Sequence, residues 1–405
     1  MSMPMSPLQQ VLLLFAIIIF ASKGAGALSK RFGQPAVLGE LLVGLVLGPT
    51  LLNMMHWPIF TESEVLEHLV KYLAELGVIF LMFLAGLETD LKEMKRVGLA
   101  ATTGATGGVV LPFVAGALIA HYFGYEWFPS IFIGTVLTAT SVSISAQTLL
   151  ELGQLRSKEG TTILGAAVVD DVMGIIVLSV VIAAHAASGG DASAPLWWVC
   201  VKMVAYFGAI IAFGNYAVPK LVRWAGRWPG SETGFAMAIV LALLYGWSAE
   251  AIGQVAAITG AYTLGVLIGE HHDLKHQVTE KVSVLAYGFF VPVFFVSIGL
   301  EADAVRALQA NFWLAIWIVL ASIVAKVIGS GIGVKVVGFT TNESIRVGIG
   351  MISRGEVALI VANIGLAAKV INSEIFSVMV LMTLVTTLVT PLLLRGVFKQ
   401  EHATH

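Results

Sequence analysis

The chain is built largely of apolar runs close to the length that crosses a bilayer. About 20 apolar residues in a helix span the ~30 Å of hydrocarbon, and such runs recur along all 405 residues. In hydrocarbon every backbone N–H and C=O needs an internal partner, which leaves helices for runs of this length. Composition agrees: 58% of residues are hydrophobic and 12% are charged, against roughly 25% charged in a soluble domain. The expected fold class is therefore an all-α polytopic membrane protein. Thirteen spans are read, at about 8–29, 35–53, 72–89, 97–122, 128–150, 160–186, 197–222, 233–250, 254–270, 282–300, 311–337, 343–367 and 374–397.

Short loops and a net charge of -2 argue against nucleic acid as a partner and name the lipid bilayer instead. The single cysteine, Cys200, excludes an intrachain disulfide framework and a CxxC metal site. The first apolar run has its basic residues (Lys23, Lys30, Arg31) within or after it and none before it, which favours a retained span over a cleaved signal. No soluble nucleotide-binding domain is expected in the chain; residues 401–405 read as a short tail. Of the 23 Lys and Arg residues, 16 fall in one set of alternate loops and the C-terminal end. The positive-inside rule then places the N-terminus outside and the C-terminus in the cytoplasm, which an odd number of spans requires. The expected location is a bacterial cytoplasmic (inner) membrane.

The sequence repeats itself weakly. "GLETDL" at 86–91 returns as "GLEADA" at 299–304, an offset of 213 residues. The same offset carries Thr140, in "TATSVSISA" of span 5, onto Ser353, in "ISRGEVALI" of span 12. A second echo pairs "GQPAVLGELLVGLVLG" at 33–48 with "GQVAAITGAYTLGVLIG" at 253–269. With the topology above, the two copies start on opposite sides of the membrane, with span 7 between them. Inverted repeats are a transporter signature, with ion sites at the midplane where broken helices meet. Spans 5 and 12 are crowded with hydroxyls and glycines, and both are read as helices broken at mid-membrane.

A charge at mid-bilayer costs at least a few kcal/mol. The deep candidates are Asp170 and Asp171 in span 6, Lys326 in span 11, and Arg354 and Glu356 in span 12. The expected pairings are one aspartate with Lys326, and Arg354 with Glu356. Adjacent helical residues point about 100° apart, so the two aspartates face different neighbours. One carboxylate is expected to meet a cation while the other meets Lys326. Hard oxygen ligands from carboxylates, hydroxyls and freed carbonyls suit Na⁺ or Li⁺. A channel and an intramembrane aspartyl protease are the readings of other classes. The protease needs two carboxylates that face each other, which adjacent helix positions do not supply.

The stretches "GQPAVLGELLVGLVLGP", "FLAGLETDL", "TATSVSISAQTLLELG", "GAAVVDDVMGIIVL", "AKVIGSGIG" and "SRGEVALIVA" cover nearly the whole chain. Together they resemble the monovalent cation:proton antiporter-2 family, which holds the NapA-like Na⁺/H⁺ antiporters and the membrane domain of the Kef potassium systems. The resemblance implies a NhaA-like fold with two crossed broken helices, here spans 5 and 12. It implies one exchanger unit over 1–400: a dimerisation domain of spans 1–3 and 8–10, a moving core of spans 4–6 and 11–13, and span 7 (about 197–222) as linker. It implies a homodimer, no resident cofactor, and Na⁺ and H⁺ as cargo. By the same resemblance Asp171 binds the ion with Asp170, Thr140 and Ser141. Lys326 pairs with Asp170 and carries a proton, and Arg354 and Glu356 support the broken helix. Two aspartates with this lysine imply electrogenic exchange of two protons for one Na⁺. K⁺/H⁺ or mixed exchange is the alternative.

Overall fold

A computed structural model describes residues 5–32, 34–89, 91–189, 196–253, 255, 257–300 and 311–399. The described residues are overwhelmingly helical. The helices are α1 (Pro7–Arg31), α2 (Ala36–Leu47), α3 (Ser63–Glu88), α4 (Leu91–Tyr122), α5 (Trp127–Thr138), α6 (Val142–Glu151), α7 (Lys158–Gly189) and α8 (Leu196–Tyr216). They continue with α9 (Val218–Ala225), α10 (Thr233–Ser248), α11 (Ala257–Gly269), α12 (His272–Leu285), α13 (Val291–Leu300), α14 (Phe312–Val336), α15 (Thr341–Gly350), α16 (Glu356–Ala367) and α17 (Ser373–Lys399). Among the described residues, nine helices or collinear helix pairs are long and apolar enough to cross a membrane, and the bent pair α8–α9 makes ten. Three shorter apolar helices, Ala36–Leu47, Ala257–Gly269 and Val357–Leu366, accompany them.

Local chemistry accounts for where helices start and bend. Ser6 and Gln9 form a capping box at the start of α1, and Thr340 and Glu343 form one at the start of α15. Each satisfies two N–H groups that a helix end leaves free. The seventh span is not straight; it bends by 43° between Tyr216 and Val218. Pro219 lies just past the bend, where it lacks an N–H and its ring crowds the carbonyl four residues back. A π-helical turn at Ala286–Phe290 joins α12 to α13, so the tenth span begins well before the run read from sequence.

The tightest packing is glycine against backbone. A Cβ on Gly265 of α11 would come within 2.2 Å of the Phe83 carbonyl oxygen on α3, beside Gly86. A Cβ on Gly299 of α13 would come within 2.2 Å of the Gly44 carbonyl carbon on α2. Gly107 of α4 and Gly329 of α14 approach as closely, each with 2.1 Å from a notional Cβ to the other's carbonyl oxygen. Helices in lipid gain little from apolar contact alone, so close approach through small residues does much of the holding.

Candidate ion site at two helix breaks

Two spans lose their helical backbone in the interior. The fifth stops at Thr138 and resumes at Val142. The twelfth stops at Gly350 and resumes at Glu356. The breaks touch. Ser141 N–H donates to the Ser353 carbonyl at 2.8 Å, and Ser353 Oγ donates to the Ser141 carbonyl at 2.5 Å. Ser145 Oγ donates to the Gly350 carbonyl at 2.6 Å and lies 3.2 Å from Ser353 Oγ. Gly355 is needed here: a Cβ on it would stand 2.5 Å from Ser141 Oγ.

A helix that ends inside a protein leaves up to four carbonyls without partners. Two buried cations supply donors. Arg354, fully buried, sends Nη1 to the Met351 carbonyl (3.3 Å) and to the Ile352 carbonyl. Its Nη2 donates to the carbonyls of Leu137 (2.9 Å) and Ser322 (3.3 Å). Lys326, on α14 and also fully buried, donates from Nζ to the Thr138 carbonyl at 2.9 Å. The cations therefore sit at the C-terminal ends of α5 and α15, where the helix dipole is negative. From α17, Thr387 Oγ1 donates to the Arg354 carbonyl at 2.6 Å, and Arg354 N–H donates to Thr386 Oγ1 at 3.3 Å. The expected Arg354–Glu356 pairing lies outside the described residues, because the Glu356 side chain is not among them. The described partners of the guanidinium are backbone carbonyls.

The adjacent aspartates face different ways. Asp170, 1% exposed, accepts from Lys326 Nζ at 2.9 Å through Oδ1. Asp171, half-buried, turns toward α11, where Thr259 Oγ1 donates to its Oδ2 at 2.6 Å. Of the two partners open for Lys326, the structure brings it to Asp170. Asp170 Oδ2 and Thr140 Oγ1 are buried with no hydrogen-bond partner among the described residues. Such atoms are costly unless something completes them, and a carboxylate oxygen such as Asp170 Oδ2 suits a small hard cation or a proton. Ser141 Oγ lies 3.0 Å from Ser143 Oγ.

A cavity of about 520 Å³ leads toward Asp171. It runs between α4 and α7 on one side and α8 and α11 on the other, with Asn215 and Glu270 at helix ends and Gly98, Val168 and Thr263 along the helices. Val168 and Asp171 are three apart on α7, and Thr259 and Thr263 four apart on α11, so each pair shares a helix face. The cavity wall thus reaches one helical turn from the Asp171–Thr259 bond.

Sequence reasoning did not single out Thr259, Thr386 or Thr387. Thr259 comes from a helix with no charge to draw attention to it.

Comparison with known proteins gives the family. The chain matches the family described as "Sodium/hydrogen exchanger, transmembrane" over residues 13–400. It is 39% identical over 383 residues to the Na(+)/H(+)-K(+) antiporter GerN of Bacillus cereus, covering 95% of each protein. It is 36% identical over 390 residues to a Na(+)/H(+) antiporter of Enterococcus hirae, covering 96% of this chain and 98% of that one. In fold it is similar to the sodium proton antiporter MjNhaP1 of Methanocaldococcus jannaschii, with a TM-score of 0.70, 15% identity and 96% of each chain covered. With the family match running almost end to end, the chain belongs to the transmembrane sodium/hydrogen exchanger family.

Proposed function

We propose that the protein is a secondary active antiporter, not an enzyme, that exchanges Na⁺ or Li⁺ for H⁺ by alternating access. The observation that carries this reading is the pair of adjacent carboxylates with different partners: Asp170 on Lys326, and Asp171 on Thr259, one helical turn from the wall of a cavity. Asp171 and Asp170 form the ion site, with Thr140 and Ser141 at the neighbouring break. Cation and proton compete for the same carboxylates, so one site exposed in turn to each side gives exchange without a second pathway. Lys326 carries a second proton, and Arg354 and Glu356 support the broken helix. Two protons for one Na⁺ moves one net charge per cycle, so a membrane potential of 100 mV contributes about 2.3 kcal/mol per turnover. No resident cofactor is invoked.

The finer architecture is also our reading. Counting α5–α6, α8–α9, α12–α13 and α15–α16 as single spans, with the short α2 and α11, gives thirteen. Spans 5 and 12 cross at their breaks, supported by the reciprocal Ser141–Ser353 bonds. The inverted repeat is supported by two contacts that exchange under it. The offset between "GLETDL" and "GLEADA" carries Gly86 to Gly299, and that between the longer echoes carries Gly44 to Gly265; the pairs in contact are Gly86–Gly265 and Gly44–Gly299. These glycine contacts stay within spans 1–3 and 8–10, while Gly107–Gly329 stays within spans 4–6 and 11–13. That favours a scaffold of the first set, which forms the homodimer, and a moving core of the second, with α8–α9 as linker. We read this as the inward-facing state of a bacterial inner-membrane protein with an outside N-terminus and a cytoplasmic C-terminus, a reading supported by a cavity that lies toward the basic loops.

K⁺ is a second cargo to test, because the name of GerN includes it. The deciding experiment is reconstitution in liposomes, with internal pH recorded on addition of Na⁺, Li⁺ or K⁺, with and without a potential clamp. Asp171→Asn is expected to abolish exchange. Full exchange by that variant would remove Asp171 from the site.

A further inference from the structure

The Thr259–Asp171 bond joins two bundles. Asp171 is on α7, which Asp170–Lys326 ties to α14 and a buried Glu159–Arg346 pair (2.8 Å) ties to α15. Thr259 is on α11, which glycine contacts press against α3 and, through Gly260, against the Tyr245 carbonyl of α10. The cavity separates the bundles for at least a turn on one side of this bond. At 2.6 Å, with Thr259 only 2% exposed, it has the length of a charge-assisted O–H···O⁻ bond.

A threonine has one proton to donate, and that proton is best used on an ionised, unoccupied carboxylate oxygen. A proton or a cation on Asp171 withdraws the negative charge the bond depends on. Charged groups near Asp171 include Asp170, next to it on its own helix, and Lys326 on α14, which feels both carboxylates. These belong to the moving core, so they travel with Asp171. Thr259 does not.

We infer that Thr259 is a positioning residue that latches the core to the scaffold while Asp171 is ionised and empty, and releases it once a proton or a cation is bound. This rests on the reading of Asp171 as the ion site. The latch suppresses the one movement an exchanger has to avoid, return of the empty core, which would let Na⁺ cross without protons coming back. Loss of one charge-assisted hydrogen bond corresponds to roughly a ten- to hundredfold change in a population.

The test measures Na⁺ flux and H⁺ flux together in liposomes under a potential clamp. Thr259→Val removes the hydroxyl and keeps the shape. It is expected to raise the number of Na⁺ ions moved per H⁺, while Thr259→Ser keeps the original ratio. Thr259→Ala replaces the valine variant if that one elutes as aggregate. An unchanged Na⁺-to-H⁺ ratio in a folded valine or alanine variant, with Asp171→Asn inactive, would overturn the latch alone. Exchange by Asp171→Asn would instead overturn the site on which it rests. A serine variant that slips as much as the valine variant would also defeat the idea, since the hydroxyl would then be irrelevant.

Discussion

Lys326 and Asp170 are each other's main means of staying buried. A buried pair adds little net stability, but removing one partner strands the other at a cost of about 3–5 kcal/mol. Asp170→Asn and Lys326→Gln are each expected to lower thermal stability in detergent by that order. The double variant should recover most of the loss, a pattern that separate structural roles would not produce. In transport, Lys326→Gln should reduce the charge moved per Na⁺ toward zero while slowing exchange by less than about tenfold, or ~1.4 kcal/mol. A clamped-liposome current measured beside Na⁺ uptake checks this. An unchanged charge-to-ion ratio would take Lys326 out of the proton pathway.

At the scale of elements, the breaks in spans 5 and 12 are the costly feature, and Arg354 is what makes them tolerable. Its guanidinium gathers the carbonyls of Leu137, Met351 and Ile352 from two different spans. Each buried carbonyl left without a donor costs about 1–3 kcal/mol. Arg354→Met should therefore prevent recovery of monodisperse protein. Arg354→Lys keeps the charge but loses the planar fork; it should remain recoverable, with a melting temperature below that of the unchanged protein. Gly355 sets how close the breaks come. Gly355→Ala puts a Cβ 2.5 Å from Ser141 Oγ, an overpacking worth about 1–3 kcal/mol, and should depress exchange. Adding Ser141→Gly removes the atoms it strikes and should restore part of the stability. No recovery in a melting assay would mean that the breaks are held apart by something else.

Across the whole molecule, the glycine contacts act in pairs. Gly86 and Gly299 occupy equivalent places in the proposed repeat, and each faces backbone that cannot step aside. Gly86→Ala and Gly299→Ala are expected to destabilise by similar amounts, about 1–3 kcal/mol, and to leave the apparent Na⁺ affinity unchanged. Strongly unequal losses in thermal denaturation would argue against the repeat.

Much of the architecture was legible in the chain because hydrocarbon imposes a simple rule: long apolar runs become helices, and a charge inside one needs a reason. That rule marked the chain as a bundle of apolar membrane-spanning helices and directed attention to Asp170, Asp171, Lys326 and Arg354. Hydroxyls and glycines make poor lipid-facing helix, and helical backbone is interrupted in both hydroxyl- and glycine-rich stretches, at 139–141 and 351–355. The rule could not say which aspartate meets Lys326, because both lie within reach of a neighbouring helix and only the rotation of α7 chooses. It named a pairing for Arg354, yet the described partners are carbonyls, which carry no signature in side-chain sequence. Thr259 was invisible for a related reason, being an ordinary threonine until α11 is set against α7. Sequence alone determined which residues are expensive to bury; tertiary structure decided what each of them touches, because contacts between helices depend on rotation and crossing angle rather than on order along the chain.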